Sequence, residues 1–216
     1  GQPGIAPGQP VNLETVNAYA RGIGFRGQYR IAVPQDATGV YTVSADSMSG
    51  GKGGDTYYVD DAGDKTIELA EQGSDTVYST VTWTLAAETE NLNLIGPGNL
   101  NGTGNTLDNM LRGNDLANVL TGLAGNDTLR GGGGNDTMNG ADGDDTYDVG
   151  SLGDIVLDSS GVDTVFSYIS GPTAYNLATG VENLTFYNGY ALAPAVMNGN
   201  GNTLDNRITA NLSANA

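Results

Sequence analysis

The stretch GLAGNDTLRGGGGNDTMNGADGDDTYDVG, residues 122–150, decides the fold of this chain. It is rich in glycine and aspartate, as a flexible linker would be, but its residues recur in register. Lines of nine residues that begin at Gly104 place Asn or Asp at position six and an apolar residue at position eight of seven consecutive lines. Position six is occupied by Asn109, Asn118, Asp127, Asp136, Asp145, Asp154 and Asp163. A linker needs no such register, so the pattern predicts a repeated structural unit.

Each column of the nine-residue unit has a physical reason. Glycine permits positive φ and close approach of the backbone, so the chain turns sharply and directs carbonyl oxygens to one point. The carboxylate at position six supplies the hard anionic oxygen that calcium prefers. The apolar side chain two residues later points inward from a short strand. Because so short a unit cannot bury its apolar face alone, neighbouring units must stack.

The segment GGGGNDTMN, residues 131–139, resembles the RTX (haemolysin-type) calcium-binding nonapeptide, Gly-Gly-x-Gly-x-Asp-x-apolar-x, at every fixed position. The units on either side differ from it only by Leu123 and Ala141 at position two, and GGKGGDTYY, residues 50–58, is a second complete match. The resemblance implies an all-β fold, a parallel β-roll or β-solenoid with calcium-binding turns. Two nonapeptides would form one coil, and Ca²⁺ would lie between loops one coil apart.

The resemblance also implies a set of metal ligands. It pairs Asp127 with Asp145, Asp136 with Asp154, and Asp145 with Asp163. Asn109 and Asn118 replace Asp, so weak or empty sites are expected at their loops, and residues 50–58 are expected to form a separate, weaker region. The expected metal-binding residues are Asp46, Gly50, Gly51, Gly53, Asp55, Asn118, Gly122, Gly125, Asp127, Gly131, Gly132, Gly134, Asp136, Gly140, Gly143, Asp145, Asp154 and Asp163.

Composition narrows the function. The chain has 8 Lys and Arg against 25 Asp and Glu, a net charge of −17, which disfavours nucleic acid and anionic membranes as partners and favours cations. It contains no Cys and no His, which excludes thiol nucleophiles, disulfides, the common zinc sites and a histidine base. It has no apolar run of eighteen residues, so no membrane span is predicted. No catalytic residue is predicted, and we expect the chain not to be an enzyme.

A longer repeat contains the short one. GGKGGDTYYVDDAGD, residues 50–64, returns in altered form as a segment that ends at Asp154, and NGTGNTLDN, residues 101–109, returns as NGNGNTLDN at 198–206. The runs DTVYSTVTWTL, ENLNLI, DTVFSYI and ENLTFY are rich in β-branched and aromatic residues and predict strands that continue the solenoid without ions. Further repeats of a parent chain are expected beyond this sequence.

Four regions follow from these repeats. Residues 1–43 have a helical spacing followed by a hairpin pattern and are expected to form a small α+β cap. Residues 44–103 form a first repeat copy with ion-free strands, and 104–166 form the main calcium-binding roll. Residues 167–216 contain strands and the start of the next repeat block.

Three functions are compatible with the sequence. The leading prediction is a calcium-dependent folding and structural module of a large secreted bacterial protein, for which the resemblance implies type I secretion and an extracellular or cell-surface location. The alternative is an adhesin segment or an accessory module that binds polysaccharide or a cell surface, which a row of exposed aromatic and basic residues would support. A short surface-binding ladder of Thr128, Thr146 and Thr164, which are 18 residues apart, is the third.

Overall fold

The structure is a computed structural model that describes residues 46–70, 73–169, 173–187 and 198–210. These residues form short strands joined by turns, and no helix occurs among them, hence none able to cross a membrane. The strands are β1 Ser47–Ser49, β2 Thr56–Val59, β3 Lys65–Ile67, β4 Thr76–Ser79, β5 Trp83–Thr84, β6 Asn91–Leu94, β7 Asn101–Thr103, β8 Met110–Arg112, β9 Val119–Ala124, β10 Thr128–Arg130, β11 Thr137–Asp142, β12 Thr146–Val149, β13 Ile155–Leu157, β14 Thr164–Ser167, β15 Tyr175–Asn176, β16 Asn183–Phe186, β17 Gly199–Asn200 and β18 Arg207–Ala210.

Successive strands alternate between two sides of a solenoid. The even-numbered strands form one nine-stranded parallel sheet in the order β18-β16-β14-β12-β10-β8-β6-β4-β2. On the other side, the odd-numbered strands from β5 to β13 form a five-stranded parallel sheet. The strands β1 and β3 form a parallel pair, and so do β15 and β17. The prediction of an all-β parallel solenoid is therefore confirmed. The expected cap at residues 1–43 lies outside the described residues.

The core is narrow, and the position-eight side chains form its two continuous rows. The strands alternate buried and solvent-facing residues with the period of two that a pleated strand imposes. In the nine-stranded sheet one inward row runs in register through Tyr57, Val77, Leu92, Leu111, Leu129, Tyr147, Val165 and Leu184. The facing row in the five-stranded sheet is Trp83, Gly102, Leu120, Met138 and Val156. All of these apolar side chains are buried.

The strands predicted to lack ions continue the same solenoid. In the main roll, Thr128 pairs with Thr146 and Thr146 with Thr164, which are 18 residues apart. Coils elsewhere differ in length, since Thr76 pairs with Asn91. The loops absorb these differences and the strands stay in register. The nine-stranded sheet runs across residues 103 and 166, and the region boundaries drawn there stay predictions.

Candidate metal centre

The loops of the solenoid lie along two edges, one on each side of the stacked coils. We call the loops that precede even-numbered strands the first edge and those that precede odd-numbered strands the second edge. The first edge carries Asp55, Asp75, Asn109, Asp127, Asp145 and Asp163 immediately before a strand, and the second edge carries Asp46, Asp64, Asn118, Asp136 and Asp154. Every aspartate at position six thus lies at the point where its loop enters a strand.

A ladder of hydrogen bonds joins these residues from coil to coil. On the first edge the backbone N–H of Asn109 donates to Oδ1 of Asp127, that of Asp127 to Asp145, and that of Asp145 to Asp163, each at 2.7 Å. The ladder therefore brings together the first-edge pairs that the 18-residue spacing predicts.

The ladder recurs on the second edge and in the first repeat copy. The N–H of Asn118 donates to Asp136 at 2.9 Å, and that of Asp136 donates to Asp154 at 3.0 Å. Nearer the N-terminus, Asp55 donates to Asp75 at 2.7 Å and Asp46 to Asp64 at 2.8 Å. The loops of each pair are thus adjacent on both edges.

The second carboxylate oxygen of several aspartates has no hydrogen-bond partner among the described residues. Oδ2 of Asp55, Asp127, Asp136, Asp145 and Asp163 is buried and accepts no hydrogen bond from any described residue. A buried, unpaired carboxylate oxygen is costly, because it has given up water without gaining a partner. A bound cation would remove that cost, so these atoms fit a metal site.

Glycine at position one completes a cradle around four of these five oxygens. A β-carbon added at Gly50, Gly122, Gly131 or Gly140 would overlap Oδ2 of the aspartate five residues later in the same loop. The same β-carbon at Gly122 would lie 2.9 Å from the carbonyl oxygen of Gly140, one coil later. A carboxylate oxygen and a carbonyl oxygen therefore converge where only glycine fits, and such oxygens are the ligands that Ca²⁺ takes.

In the loops of Asp127, Asp136 and Asp145, position two has a left-handed backbone whether or not it is glycine. Gly132 has φ of 97°, and Leu123 and Ala141, the two departures from the nonapeptide pattern, have φ of 92° and 78°. The loop geometry, and not the residue, therefore sets this conformation. The other expected glycines, Gly51, Gly53, Gly125, Gly134 and Gly143, also have positive φ.

The two Asn loops close without a cation. Oδ1 of Asn109 accepts the N–H of Asn105 at 2.7 Å, and Oδ1 of Asn118 accepts the N–H of Asn114 at 2.9 Å. The amide nitrogen of Asn118 donates to the carbonyl of Leu100 at 2.7 Å. Since these amides have partners inside the protein, the expectation of weak or empty sites at them is physically reasonable and stays a prediction.

Asp154 differs from the other expected ligands. Its Oδ2 accepts the N–H groups of Gly150 at 3.0 Å and Ser151 at 2.9 Å, while its Oδ1 takes that of Asp136. Oδ2 of Asp64 likewise accepts N–H groups of its own loop, those of Asp60 and Asp61. The structure thus places Asp154 beside Asp136 with both oxygens already engaged. Its role as a ligand stays a prediction.

Burial favours the protonated form of the aspartates in the ladder. It raises the pKa of Asp127 to about 7 and that of Asp145 to about 6, with neighbouring carboxylates adding to the effect and the donated N–H groups opposing it. Burial also raises the pKa of Asp136 and of Asp163. Carboxyl groups in this state resist ionisation until a cation compensates the charge.

Three acidic residues outside the expected set, Glu68, Asp75 and Asp158, lie close to expected ligands. The carboxylate oxygens of Asp145, Asp158 and Asp163 lie within 4.8 Å of one another, and so do those of Asp55, Glu68 and Asp75, among the described residues. The sequence holds one signal for Asp158, because it occupies position one, where five earlier lines of the repeat have glycine.

The comparisons with known proteins agree with this geometry. Residues 112–147 match the family described as RTX calcium-binding nonapeptide repeat (4 copies). Over 67 residues the chain is 37% identical to the endo-1,3-1,4-beta-glycanase ExsH of Rhizobium meliloti (strain 1021), a stretch that covers 31% of this chain and 14% of that protein. No solved structure matches the chain. The repeats of that family bind calcium, and the matched segment together with the parallel β-solenoid fits an RTX β-roll module.

Proposed function

We propose that this chain is a calcium-dependent folding and structural module of a secreted bacterial protein, with ions held between the loops of adjacent coils. The observation that carries the proposal is the buried, unpartnered Oδ2 of Asp127, Asp136 and Asp145, each against a position-one glycine of its loop. The ligands would come from the expected set, with the aspartates that keep an unpartnered oxygen supplying carboxylate oxygens and the glycines supplying carbonyl oxygens.

Charge repulsion explains why folding would depend on the ion. The ladder stacks ionisable carboxylates at the spacing of neighbouring strands, about 4.8 Å. Two unit charges 4 Å apart near a protein surface repel by roughly 4 kcal/mol. The narrow core offers limited apolar burial against this repulsion, and the chain as a whole carries a net charge of −17. Ion binding would remove the repulsion and tie two coils together, so the free energy of binding becomes free energy of folding.

The ion also fits an extracellular role. Extracellular calcium modules bind with dissociation constants of about 10⁻⁴ to 10⁻³ M. Sites of that strength would stay empty in a cytosol and fill outside the cell, so the chain would remain unfolded until export. Type I secretion, which is characteristic of this family, suits an unfolded passenger.

The test is a calcium titration followed by far-UV circular dichroism. In EDTA, residues 104–166 should lack stable β structure, and millimolar Ca²⁺ should restore it. Mg²⁺ is the matched control, because it demands near-octahedral geometry with short bonds and should not substitute. A β spectrum that is the same in EDTA and in calcium would overturn the proposal.

A second candidate function is binding of a glycan by the outer face of the nine-stranded sheet. One outward row runs in register through Tyr58, Tyr78, Asn93, Arg112, Arg130, Asp148 and Phe166. Tyr58 and Tyr78 stack at 5.4 Å, and Arg130 pairs with Asp148 at 2.9 Å. A row of aromatic rings beside polar and basic groups would support the alternative of an accessory module that binds polysaccharide.

The glycanase named among the similar proteins suggests a probe for this second function. Calorimetry with mixed-linkage β-glucan oligosaccharides should detect binding by the calcium-loaded chain. Replacement of Tyr58 and Arg112 by alanine should abolish it without changing the calcium titration. Equal binding by the wild type and this variant would exclude the row as the glycan surface.

A further inference from the structure

We propose that Asp158 is a third carboxylate ligand of the ion held between the Asp145 and Asp163 loops, fixed in place by the buried hydroxyl of Tyr147. The inference rests on the proposed function and extends it to a residue outside the nonapeptide pattern. It makes this site the tightest of the main roll. Glu68 and Tyr57 have the corresponding roles in the first repeat copy.

The carboxylates of Asp145, Asp158 and Asp163 lie close together, and two of their oxygens have no hydrogen-bond partner among the described residues. Their oxygens lie within 4.8 Å of one another, and Asp145 and Asp163 are at most 1% exposed. Oδ2 of Asp145 and Oδ2 of Asp163 have no hydrogen-bond partner among the described residues. Oδ1 of Asp158 accepts the N–H of Ser160 at 3.0 Å. Three acidic groups without a basic neighbour in the cluster are held together only at a cost, which a cation would offset.

Tyr147 holds Asp158 in this arrangement. The tyrosine is fully buried in the core, and its hydroxyl oxygen accepts the N–H of Gly140 at 2.9 Å. The hydroxyl donates to Oδ2 of Asp158, with a longer contact of 3.3 Å to the carbonyl oxygen of Leu157. A carboxylate on a loop loses rotamer freedom when a rigid buried group fixes it. Tyr147 is therefore a positioning residue, and Asp158 can contact the ion.

The same arrangement occurs a second time in the chain. The hydroxyl of Tyr57 accepts the N–H of Gly50 at 2.7 Å and donates to Oε1 of Glu68. In both copies the acid follows the tyrosine by 11 residues. Oδ2 of Asp55 and Oε2 of Glu68 are again buried without a described partner. Recurrence with Glu in one copy and Asp in the other indicates that a carboxylate at this point is required.

The number of charged ligands sets the affinity of a calcium site. Between the Asp127 and Asp145 loops, position one is glycine in both, so two carboxylates are available. Between the Asp145 and Asp163 loops, Asp158 replaces that glycine and adds a third. The three-carboxylate sites therefore fill at lower calcium concentration. The first copy then has a tight site in place of the weaker region expected from its incomplete glycine set.

The experiment is calorimetric Ca²⁺ titration of the full chain against a competing chelator. Asp158→Asn should remove one ion from the tightest class and leave the remaining sites unchanged, and Asp158→Glu should keep it, since Glu68 has that role in the first copy. Tyr147→Phe should weaken the same site by roughly 10-fold to 100-fold, the usual effect of losing a group that orients a metal ligand. Asp115→Asn, an exposed loop residue, is the control for loss of one charge.

The outcomes separate the inference from the proposed function. Circular dichroism at saturating calcium should be the same for Tyr147→Phe and wild type, which distinguishes loss of an oriented ligand from loss of the core. Should Asp158→Asn fail to fold, Tyr147→Phe and Glu68→Gln carry the test. If all three bind calcium like wild type, the inference is wrong while the proposed function stands. If the wild type binds no calcium, both are wrong.

Discussion

The backbone N–H of Asp127 donates a hydrogen bond of 2.7 Å to Oδ1 of Asp145, which lies 18 residues later in the chain. This bond occupies one oxygen of the carboxylate and leaves the other buried against Gly140 of the same loop. Because the bond repeats along the edge, every such aspartate contacts two coils at once. Each of them is therefore placed to influence a site in its own coil and one in the neighbouring coil.

Residues that share an ion should be energetically coupled. A double-mutant cycle of Asp127→Ala and Asp145→Ala is expected to show an interaction free energy of roughly 0.5–3 kcal/mol in calcium, because both loops contact one ion. Asp127→Ala and Asp136→Ala are the control, since these residues lie on opposite edges and their effects should nearly add. Urea denaturation at fixed calcium gives both values. Strong coupling only in the control pair would disprove the two-edged arrangement.

Asp136 and Asp154 should respond differently to the same substitution. Asp136→Asn replaces the buried, unpartnered oxygen and is expected to weaken calcium binding on the second edge by about tenfold or more, which is about 1.4 kcal/mol. Asp154→Asn should leave calcium affinity close to that of wild type and lower stability by about 1–3 kcal/mol, because the amide has one acceptor oxygen and so cannot accept both from the N–H of Asp136 and from those of Gly150 and Ser151. Calorimetry and urea denaturation at saturating calcium measure the two effects. A larger loss of affinity for Asp154→Asn would show that it binds the ion directly.

Glycine should be preferred at position two of the loops. Ala141→Gly is expected to stabilise the calcium-loaded chain by about 1 kcal/mol. Relief of the left-handed conformation is worth about 1–2 kcal/mol, which exceeds the 0.5–1 kcal/mol entropic cost of glycine. Ala124→Gly, in a strand of ordinary backbone conformation, should instead destabilise it by about 0.5–1 kcal/mol. Thermal unfolding at saturating calcium compares the two. Destabilisation by both would mean that Ala141 is not strained.

The pH dependence of stability should disappear when calcium is bound. Burial raises the pKa of Asp127 to about 7 and that of Asp145 to about 6 in the folded state. In EDTA the folded state therefore binds protons more tightly than the unfolded state, whose aspartates have a pKa of about 4. The stability that this difference contributes is fully present below about pH 4 and is lost as the pH rises through about 6 to 7. In saturating calcium these carboxylates are ionised in both the bound folded state and the unfolded state above about pH 5, so stability should stay nearly constant over the same range.

Far-UV circular dichroism in EDTA, which reports the folded fraction, and urea denaturation in calcium, each at about pH 5 and about pH 8, test this difference. Asp127→Asn is the matched variant, because it removes one titrating group from the ladder and should weaken the pH dependence in EDTA. Calcium-free stability that increases with pH would mean that the buried carboxylates are ionised without the ion.

The sequence determined that the chain forms a solenoid, that each coil has two sides, and that its loops carry the oxygen ligands that calcium prefers. The nine-residue register of aspartate and apolar residues is local information, and a short unit with one apolar side chain can be stable only when stacked. The ion-free strands could be predicted for the same reason, since their β-branched and aromatic residues continue the inward rows. The cap expected at residues 1–43 and the region boundaries stay predictions.

The tertiary structure decided which oxygens are available and which distant residues meet. Asp136 and Asp154 occupy the same position in the repeat, yet only Asp136 keeps an unpartnered oxygen, because the loop of Asp154 turns its own N–H groups onto the carboxylate. Asp158 lies beside Asp145 and Asp163, and its Oδ2 accepts a hydrogen bond from the hydroxyl of Tyr147 in the core. Tyr58 and Arg112 share one outward row despite coils of unequal length between them. Backbone pairing between coils fixes these relationships, and a nonapeptide read alone contains no information about its neighbours' hydrogen bonds.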